Sequence, residues 1–286
     1  MAGIGRGFVS PTGTDYAEAV PTAAELDLEF VELLADGVND RERIAEEANE
    51  VATLAEVHEV GLVVHLPTDV DVAAPHEHVR DGALLELKAV LDAAETVDAR
   101  RAVLHPPAGP DRSGRHGGPG ATGGRSTEDR DGGASDRRRK RVVAAVRALD
   151  RYADDRGVDL CVRPRFEGGD VRGVLGRLFE ATDADVCLDT GLAALAGFEE
   201  TDQAALLLER GDRIPHVHCN DVRSATGRYG LHGGPATGLP FGAGSVEFDR
   251  LLDPVREEWT GTLALSVATD DREYLEESVR RLDRIL

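Results

Sequence analysis

Lysine is almost absent from this sequence. Lys88 and Lys140 are its two lysines, and the other basic residues are arginines. Its 54 acidic residues outnumber 33 basic ones, which gives a formal net charge of -21. A surface rich in Asp and Glu and poor in Lys is typical of a protein that stays soluble in concentrated salt. The composition therefore predicts a halophilic protein and disfavours a nucleic-acid partner, because phosphate backbones are bound mainly through Lys and Arg.

Cysteines and long apolar runs are also scarce. The three cysteines, Cys161, Cys187 and Cys219, lie in apolar, strand-like stretches. Such scattered thiols, odd in number, argue against a disulfide framework and for a reducing compartment. No stretch approaches the roughly 18 apolar residues of a membrane span, and the first residues lack a signal-peptide core. We therefore expect a cytoplasmic protein with no membrane partner. The sequence gives no indication of its oligomeric state.

Several motifs of nucleotide binding and nucleophilic catalysis are missing. The first strand-like run is not followed by Gly-x-Gly-x-x-Gly, and there is no Walker sequence, no Gly-x-Ser-x-Gly and no Cys-x-x-Cys. A dinucleotide-binding sheet and a serine-hydrolase elbow therefore have no support.

Eight short apolar runs, mostly separated by helical patterns, organise the chain. The runs are residues 3–10, 30–35, 61–66, 101–105, 158–162, 184–189, 213–219 and 261–267. The predicted helices are 41–58, 76–95, about 137–155, 170–181, 192–210, 246–257 and 271–286. Strands that alternate with helices require parallel crossovers. Eight of them in 286 residues favour a closed (β/α)8 TIM barrel, an α/β fold that takes about 250 residues. We expect residues 1–286 to form this single domain.

Residues 109–135 break the pattern. They are mostly Gly, Ser, Asp and Arg. This composition predicts a flexible insertion after the fourth strand, either a disordered loop or a lid. The basic run 137–141 that follows is either a solvated helix face or a surface that could bind phosphate.

Metal-capable side chains stand at the ends of four predicted strands. They are His65, His105, Asp189 and His218. The active site of a (β/α)8 barrel lies at the carboxyl ends of its strands, so these side chains are expected to converge there. Nitrogen and oxygen ligands of this kind suit Zn or Mn. The alternative is that they simply line a hydrated barrel end. His216 lies two residues before His218 and is expected to face the core one layer lower.

Several segments together resemble the xylose isomerase-like TIM barrel superfamily. They are Val-Val-His-Leu-Pro, Val-Leu-His-Pro, Cys-Leu-Asp-Thr-Gly-Leu-Ala-Ala-Leu-Ala-Gly, His-Val-His-Cys-Asn-Asp and Leu-Pro-Phe-Gly-Ala-Gly-Ser-Val-Glu-Phe. The resemblance runs from about residue 30 to the end of the chain. That superfamily includes sugar-phosphate isomerases and epimerases, and abasic-site nucleases of the endonuclease IV type. The resemblance implies one divalent metal at the barrel end and a small sugar or sugar phosphate as partner.

Individual positions follow the superfamily pattern to different degrees. His65 and His105 stand where endonuclease IV relatives have two His ligands. Asp189 matches the Asp of Asp-Thr-x-His, His218 the His of His-Leu-Asn-Asp, and His232 the His of a later Asp-x-His. The resemblance thus implies a metal set of His65, His105, Asp189 and His218.

Four positions depart from that pattern. Arg163 and Ser266 stand at the positions of two Glu residues that act as metal ligands and acid or base groups, while Leu192 and Gly230 replace a His and an Asp. Arginine keeps its proton, so Arg163 cannot act as a base. Its fixed positive charge disfavours a metal and favours an anion. If Arg163 fills the point where the ligands converge, no metal is expected.

The favoured function is a sugar or sugar-phosphate isomerase or epimerase that uses metal-assisted proton transfer. Its predicted catalytic residues are Asp189, His218 and Asp221, with Glu167 as another candidate acid or base, and its predicted substrate-binding residues are Arg163, Arg165 and His232. One alternative is a barrel that has lost catalysis and binds a small anion without metal. A second alternative is an abasic-site endonuclease, which is less favoured because a net charge of -21 opposes DNA binding.

Overall fold

Eight parallel strands close into a barrel. The computed structural model describes residues 3–106, 128–166, 169–223, 236–268 and 271–286. The barrel strands are β1 (Gly5–Val9), β2 (Phe30–Leu34), β3 (Gly61–His65), β4 (Arg101–Leu104), β5 (Asp159–Val162), β6 (Asp185–Asp189), β7 (His216–Cys219) and β10 (Thr262–Leu265). Each strand pairs in parallel with its two neighbours, and β10 pairs with β1 to close the ring. The predicted (β/α)8 barrel is confirmed.

Helices cover the outside of the barrel. They are α1 (Tyr16–Glu25), α2 (Arg41–Glu46), α3 (Ala48–His58), α4 (Glu77–Thr96), α5 (Glu128–Asp154), α6 (Val171–Ala181), α7 (Thr190–Leu195), α8 (Glu200–Arg210), α9 (Phe248–Leu252) and α10 (Arg272–Leu282). Several begin at an Asp that caps them; Asp170, for example, accepts a hydrogen bond from the backbone N–H of Gly173. In the part of the chain that the structure describes, no helix is both long and apolar enough to cross a membrane.

The alternation of side chains along each strand creates two kinds of core. Outward residues such as Val31, Leu33 and Leu62 pack against the helices in the main hydrophobic cluster. Inward residues form a second, smaller apolar layer that fills the barrel: Phe30, Val63, Val103, Cys161, Cys187 and Ala264. Both faces of every strand are therefore buried, which explains why the strands appear as continuous apolar runs. In most strands, the next inward-facing residue lies two positions after the member of this apolar layer, at the carboxyl end of the barrel.

Three segments differ from the sequence-based expectations. Helix α1 occupies a region for which no helix was predicted. Residues 220–245, which lie between the predicted strand 213–219 and the predicted helix 246–257, include two short antiparallel strands, β8 (Asp221–Arg223) and β9 (Ala236–Leu239). The expected insertion overlaps α5, which already begins at Glu128, and its remaining residues 109–127 lie outside the described residues.

Candidate active site

A layer of polar side chains lies directly above the apolar barrel layer. Its members are Glu32, His65, His105, Arg163, Asp189 and His218, which come from six different strands or from the residue that follows one. Five of these residues are buried, and the side chain of Arg163 is 18% exposed. The structure thus brings the four predicted metal ligands and Arg163 to the same end of the barrel.

Glu32 is the functional candidate that the sequence analysis missed. Its Oε2 atom accepts hydrogen bonds from Nε2 of His216 at 3.0 Å and from Nε2 of His218 at 2.9 Å. Burial opposes the charge of this carboxyl, but His218 and His216 outweigh that effect and hold the pKa of Glu32 well below its usual value. A single acidic residue inside a strand that is otherwise apolar on both faces was the signal available in the sequence.

His216 extends this polar cluster down through the barrel. The hydroxyl of Thr262 lies 2.6 Å from His216 Nδ1 and accepts a hydrogen bond from Arg101 Nη1 at 2.8 Å. Because Nε2 of His216 donates to Glu32, its Nδ1 is assigned as an acceptor from Thr262. Burial lowers the pKa of His216 to about 4, so its ring is neutral near pH 7. As expected, His216 faces the interior one layer below His218.

The rings of His65 and His105 are both oriented by backbone carbonyls. His65 donates from Nδ1 to Leu66 O at 2.8 Å, and His105 donates from Nδ1 to Arg163 O at 3.0 Å. Their Nε2 atoms therefore carry the lone pair. Burial is the main cause that lowers the pKa of His65 to about 4 and that of His105 to about 2, and the positive charge of Arg163 lowers both further. Both rings are neutral near pH 7.

Asp189 is fully engaged by the protein. Its Oδ2 atom lies 2.7 Å from Nη2 of Arg163, and Nδ2 of Asn220 lies 3.1 and 3.2 Å from its two oxygens. Its Oδ1 also accepts from the backbone N–H of Leu192 at 2.8 Å, which caps α7. The Arg163 guanidinium therefore stands against the carboxylate that the superfamily pattern assigns to a metal.

Gly191 permits the close packing that holds Asp189 in place. Thr190 Oγ1 donates to the carbonyl of Asn220 at 2.9 Å and accepts from its backbone N–H at 3.0 Å. A Cβ atom on Gly191 would lie 2.7 Å from that carbonyl oxygen and 2.5 Å from Val222. The Asp-Thr-Gly sequence thus fixes the end of β6 against the segment that follows β7.

The four predicted ligands do not fit a divalent cation in this arrangement. The Nδ1 hydrogen bonds of His65 and His105 are of the kind that orients metal-binding imidazoles. However, a cation on Asp189 would lie beside the Arg163 guanidinium and would be repelled by it. Nε2 of His218 is already bonded to Glu32. A metal-assisted step therefore has no support from these residues.

A different group of potential metal ligands lies deeper in the barrel. Cys187, His216 and His218 are buried, and each offers a ligand atom within 4.8 Å of those of the other two. The two imidazoles already share Glu32 as an acceptor. Burial raises the pKa of the Cys187 thiol well above its usual value, which opposes the thiolate that binds metals. As arranged, this group is a hydrogen-bonded cluster beside a thiol of the apolar layer.

Asp221 is bonded to the backbone beyond β7. Its Oδ1 accepts from the N–H groups of Val222 at 2.8 Å and Val246 at 3.1 Å, and its Oδ2 accepts from Gly244 N–H at 2.6 Å. Asp221 is fully buried. These bonds hold β8 and the segment before α9 together, and an acid or base role for Asp221 stays a prediction.

The other predicted site residues lie elsewhere. Arg165 is exposed just beyond β5, and its Nε donates to Pro106 O at 3.3 Å. His232 and Glu167 lie outside the described residues. Ser266 continues β10 and donates its N–H to Cys219 O at 3.1 Å.

A cavity of about 810 Å³ lies outside the barrel wall, between α5 and α6. Its rim carries part of the basic run 137–141, but Arg138 pairs with Asp71 at 3.0 Å and Lys140 with Asp136 at 2.9 Å. This cavity meets the strand ends at Pro106 and Arg165 and is separate from the polar layer inside the barrel.

Four buried polar atoms near the barrel end have no hydrogen-bond partner among the described residues. They are Nδ1 of His218, Nε of Arg163, Oε1 of Glu32 and Oγ of Ser10. In the neutral His218 ring whose Nε2 donates to Glu32, Nδ1 is an acceptor, whereas Nε of Arg163 is a donor. A ligand hydroxyl can donate to the first and accept from the second. Buried polar groups in native proteins nearly always have a partner, so a bound water or a ligand group is expected beside these atoms.

Solved structures of known proteins share this architecture. A D-tagatose 3-epimerase-like protein aligns over 99% of this chain and 97% of its own, with 18% identity and a TM-score of 0.75. A D-allulose 3-epimerase from Methylomonas sp. aligns over 100% of this chain and 99% of its own, with 16% identity and a TM-score of 0.69. The 3-keto-D-glucoside 4-epimerase of E. coli aligns over 98% of this chain and 99% of its own, with 16% identity and a TM-score of 0.67. At these identities the likeness shows the fold alone.

Sequence comparison identifies the family. No curated protein matches the chain significantly. The family model described as "Xylose isomerase-like TIM barrel" matches residues 20–285, which is nearly the whole chain. The chain belongs to the xylose isomerase-like TIM barrel family.

Proposed function

We propose that this protein is a sugar isomerase or epimerase that transfers a proton at the carboxyl end of its barrel. The observation that carries this proposal is the Glu32–His218 pair: a buried carboxylate bonded to an imidazole whose other nitrogen has no partner among the described residues. The sugar epimerases that share the fold support the choice of substrate class.

His218 is the proposed proton acceptor. Its Nδ1 takes a proton from the carbon next to the sugar carbonyl, and the electron pair of the broken C–H bond moves to the carbonyl oxygen as an enediolate forms. The imidazolium on His218 is stabilised by Glu32, which also keeps Nε2 protonated beforehand. A proton then passes from the remaining hydroxyl of the enediolate to the former carbonyl oxygen, and return of the proton from His218 to the former carbonyl carbon gives the isomer.

Epimerisation requires a proton on the opposite face of the same carbon. The ring centroid of His65 lies 6.2 Å from that of His218, but Nε2 of this neutral ring carries a lone pair and no proton, so the arrangement favours isomerisation over epimerisation. Arg163, Arg165 and His232 remain the proposed ligand-binding residues. Glu32 is a positioning residue, since it acts through His218.

Solvent-hydrogen exchange tests this function directly. The purified protein would be incubated in D2O with D-allulose, D-tagatose or D-fructose, and deuterium at the carbons beside the carbonyl would be followed by NMR. We expect exchange that falls at least about 100-fold in His218→Gln, the size usual for loss of a general base. The matched control is His78→Gln, which changes an exposed histidine.

Variants of Glu32 separate positioning from mere structural support. We expect Glu32→Gln to lower exchange and to shift its pH profile, and Glu32→Asp to restore part of the rate. Full exchange in a folded His218→Gln protein would rule out the proposed acceptor. Absence of exchange with sugars that nevertheless bind would favour the second candidate.

The second candidate is a barrel that binds a small ligand without turnover. The Arg163–Asp189 pair favours it, because an arginine stands where the superfamily pattern has an acid or base group. Thermal-shift titration with sugars, sugar phosphates and carboxylates tests it. Saturable stabilisation without exchange, lost in Arg163→Ala, is the result that this candidate predicts.

A further inference from the structure

Arg163 is held rigidly at the end of the barrel. Its backbone N–H donates to Leu104 O at 2.8 Å, and its carbonyl accepts from His105 Nδ1 at 3.0 Å. Its side chain, 18% exposed, reaches Asp189, whose own position is fixed by Asn220 and by the start of α7. The guanidinium is therefore a built-in part of the polar layer.

The charge of Asp189 is matched by Arg163 without an added ion. Arg163 supplies one positive charge and Asp189 one negative charge at 2.7 Å, and the other carboxylate of the layer, Glu32, accepts hydrogen bonds from two imidazoles. A divalent cation at Asp189 would have to displace the guanidinium. A ligand with its own negative charge would meet two carboxylates and only one arginine in this layer.

Asp189 is flanked by two residues that each carry a buried atom without a partner among the described residues. Nε of Arg163 is a buried donor, and Arg163 is bonded to Asp189. Nδ1 of the fully buried His218 is an acceptor, and His218 is the strand partner of Asp189 in the β6–β7 pairing. A sugar hydroxyl complements both this donor and this acceptor, whereas a metal ion complements only the acceptor.

We infer that the Arg163 guanidinium is the resident cation of this site: it takes the place of a divalent metal at Asp189 and binds an oxygen of an uncharged sugar beside His218. The choice of a sugar rests on the proposed function, whereas the replacement of the metal does not. In the proton transfer proposed above, the positive charge that faces the enediolate oxygen then comes from Arg163.

Metal titration tests the replacement. Mn²⁺ binding would be measured by calorimetry and by electron paramagnetic resonance in 2 M KCl, which screens binding to the acidic surface. We expect no Mn²⁺ binding at Asp189 in the wild type. In Arg163→Glu, the introduced carboxylate joins Asp189 and His218. We expect this variant to bind one Mn²⁺ ion at least tenfold more tightly than the wild type or the control variant does. The exposed Arg177→Glu variant makes the same charge change outside the barrel and is the control.

Two outcomes overturn the replacement. One is a stoichiometric Mn²⁺ ion on the wild type that Asp189→Asn removes. The other is a folded Arg163→Glu protein that binds Mn²⁺ no better than the Arg177→Glu control. If Arg163→Glu does not fold, the wild-type titration with and without Asp189→Asn still decides the question.

Ligand charge tests the second half of the inference. Thermal shifts would be compared for D-fructose and D-fructose 6-phosphate as probes. We expect saturable stabilisation by the uncharged sugar, a smaller effect of the phosphate ester, and at least tenfold weaker sugar binding in Arg163→Gln. Equal sugar binding in Arg163→Gln, or a clear preference for the phosphate ester, overturns it. Sugar binding through Arg163 without deuterium exchange would refute the proposed reaction and leave this inference standing.

Discussion

Nε2 of His218 lies 2.9 Å from Oε2 of Glu32, and both side chains are buried inside the barrel. We predict that Glu32→Gln lowers the free energy of unfolding by about 2–4 kcal/mol, because a neutral amide accepts these two buried hydrogen bonds more weakly than a carboxylate and adds a buried NH2 group. Urea denaturation at pH 7 measures the change. Glu29→Gln, at an exposed residue just before β2, should change it by less than about 0.5 kcal/mol. Equal midpoints for the two variants would contradict the prediction.

As the pH is lowered, the protein should begin to lose stability at a pH well above the range in which ordinary carboxylates titrate. The folded-state pKa values of His65 and His216 are about 4 and that of His105 is about 2, all below the ordinary 6.5. Between about pH 6.5 and 4 these histidines bind protons in the unfolded chain but not in the folded chain, so stability falls as the pH falls. Each histidine contributes at most about 1.4 kcal/mol per pH unit.

Urea midpoints at pH 7.5, 6.5 and 5.5 check this pH dependence. His105→Asn should show a shallower decline than the wild type, since one of the buried rings is gone. The exposed His78→Asn variant should keep the wild-type slope. A wild-type midpoint that is constant between pH 7.5 and 5.5 would be inconsistent with neutral buried imidazoles.

Asp221→Asn should loosen the segment between β7 and α9. An asparagine offers one acceptor oxygen where the carboxylate accepts three backbone N–H groups through two, and its NH2 group would face a donor. We expect a loss of about 1–3 kcal/mol of unfolding free energy, together with faster amide hydrogen exchange at Gly244 and Val246. Asp253→Asn, at an exposed carboxylate, is the matched control. Unchanged exchange at both amides would show that Asp221 does not anchor this segment.

Salt should stabilise the folded state. The formal net charge of -21 makes the compact chain repel itself, and raising the salt from 0.1 to 1 M shortens the screening length from about 10 to 3 Å. We predict that the urea midpoint rises steadily with KCl over this range. Sucrose at matched osmolality is the control for non-ionic effects. A midpoint that does not respond to KCl would argue against a halophilic protein.

The barrel could be predicted because its strands are short and buried on both faces. Each strand therefore appears as an apolar run, and the runs recur at the spacing of a strand–helix unit. Helix α1 could not be found this way. It contains Pro21, a residue that usually ends or kinks a helix, and this proline lies inside the helix.

The positions of these polar side chains in the barrel could be predicted, but their hydrogen-bond and ion-pair partners could not. His65, His105, Arg163, Asp189 and His218 follow from strand ends, because all parallel strands of a barrel end on the same side. Glu32 was missed, since its partner His218 is 186 positions away along the chain. Only closure of the barrel brings β2 across from β7.

The sequence by itself determined the fold, the family and the end of the barrel at which polar side chains collect, because these depend on periodicity and on strand order. The tertiary structure alone decided which polar groups pair. It placed the Glu32 carboxylate against two imidazoles and the Arg163 guanidinium against Asp189. The physical reason is that hydrogen bonds and ion pairs act over about 3 Å, and distances of that size across a barrel are set by the tilt and register of all eight strands.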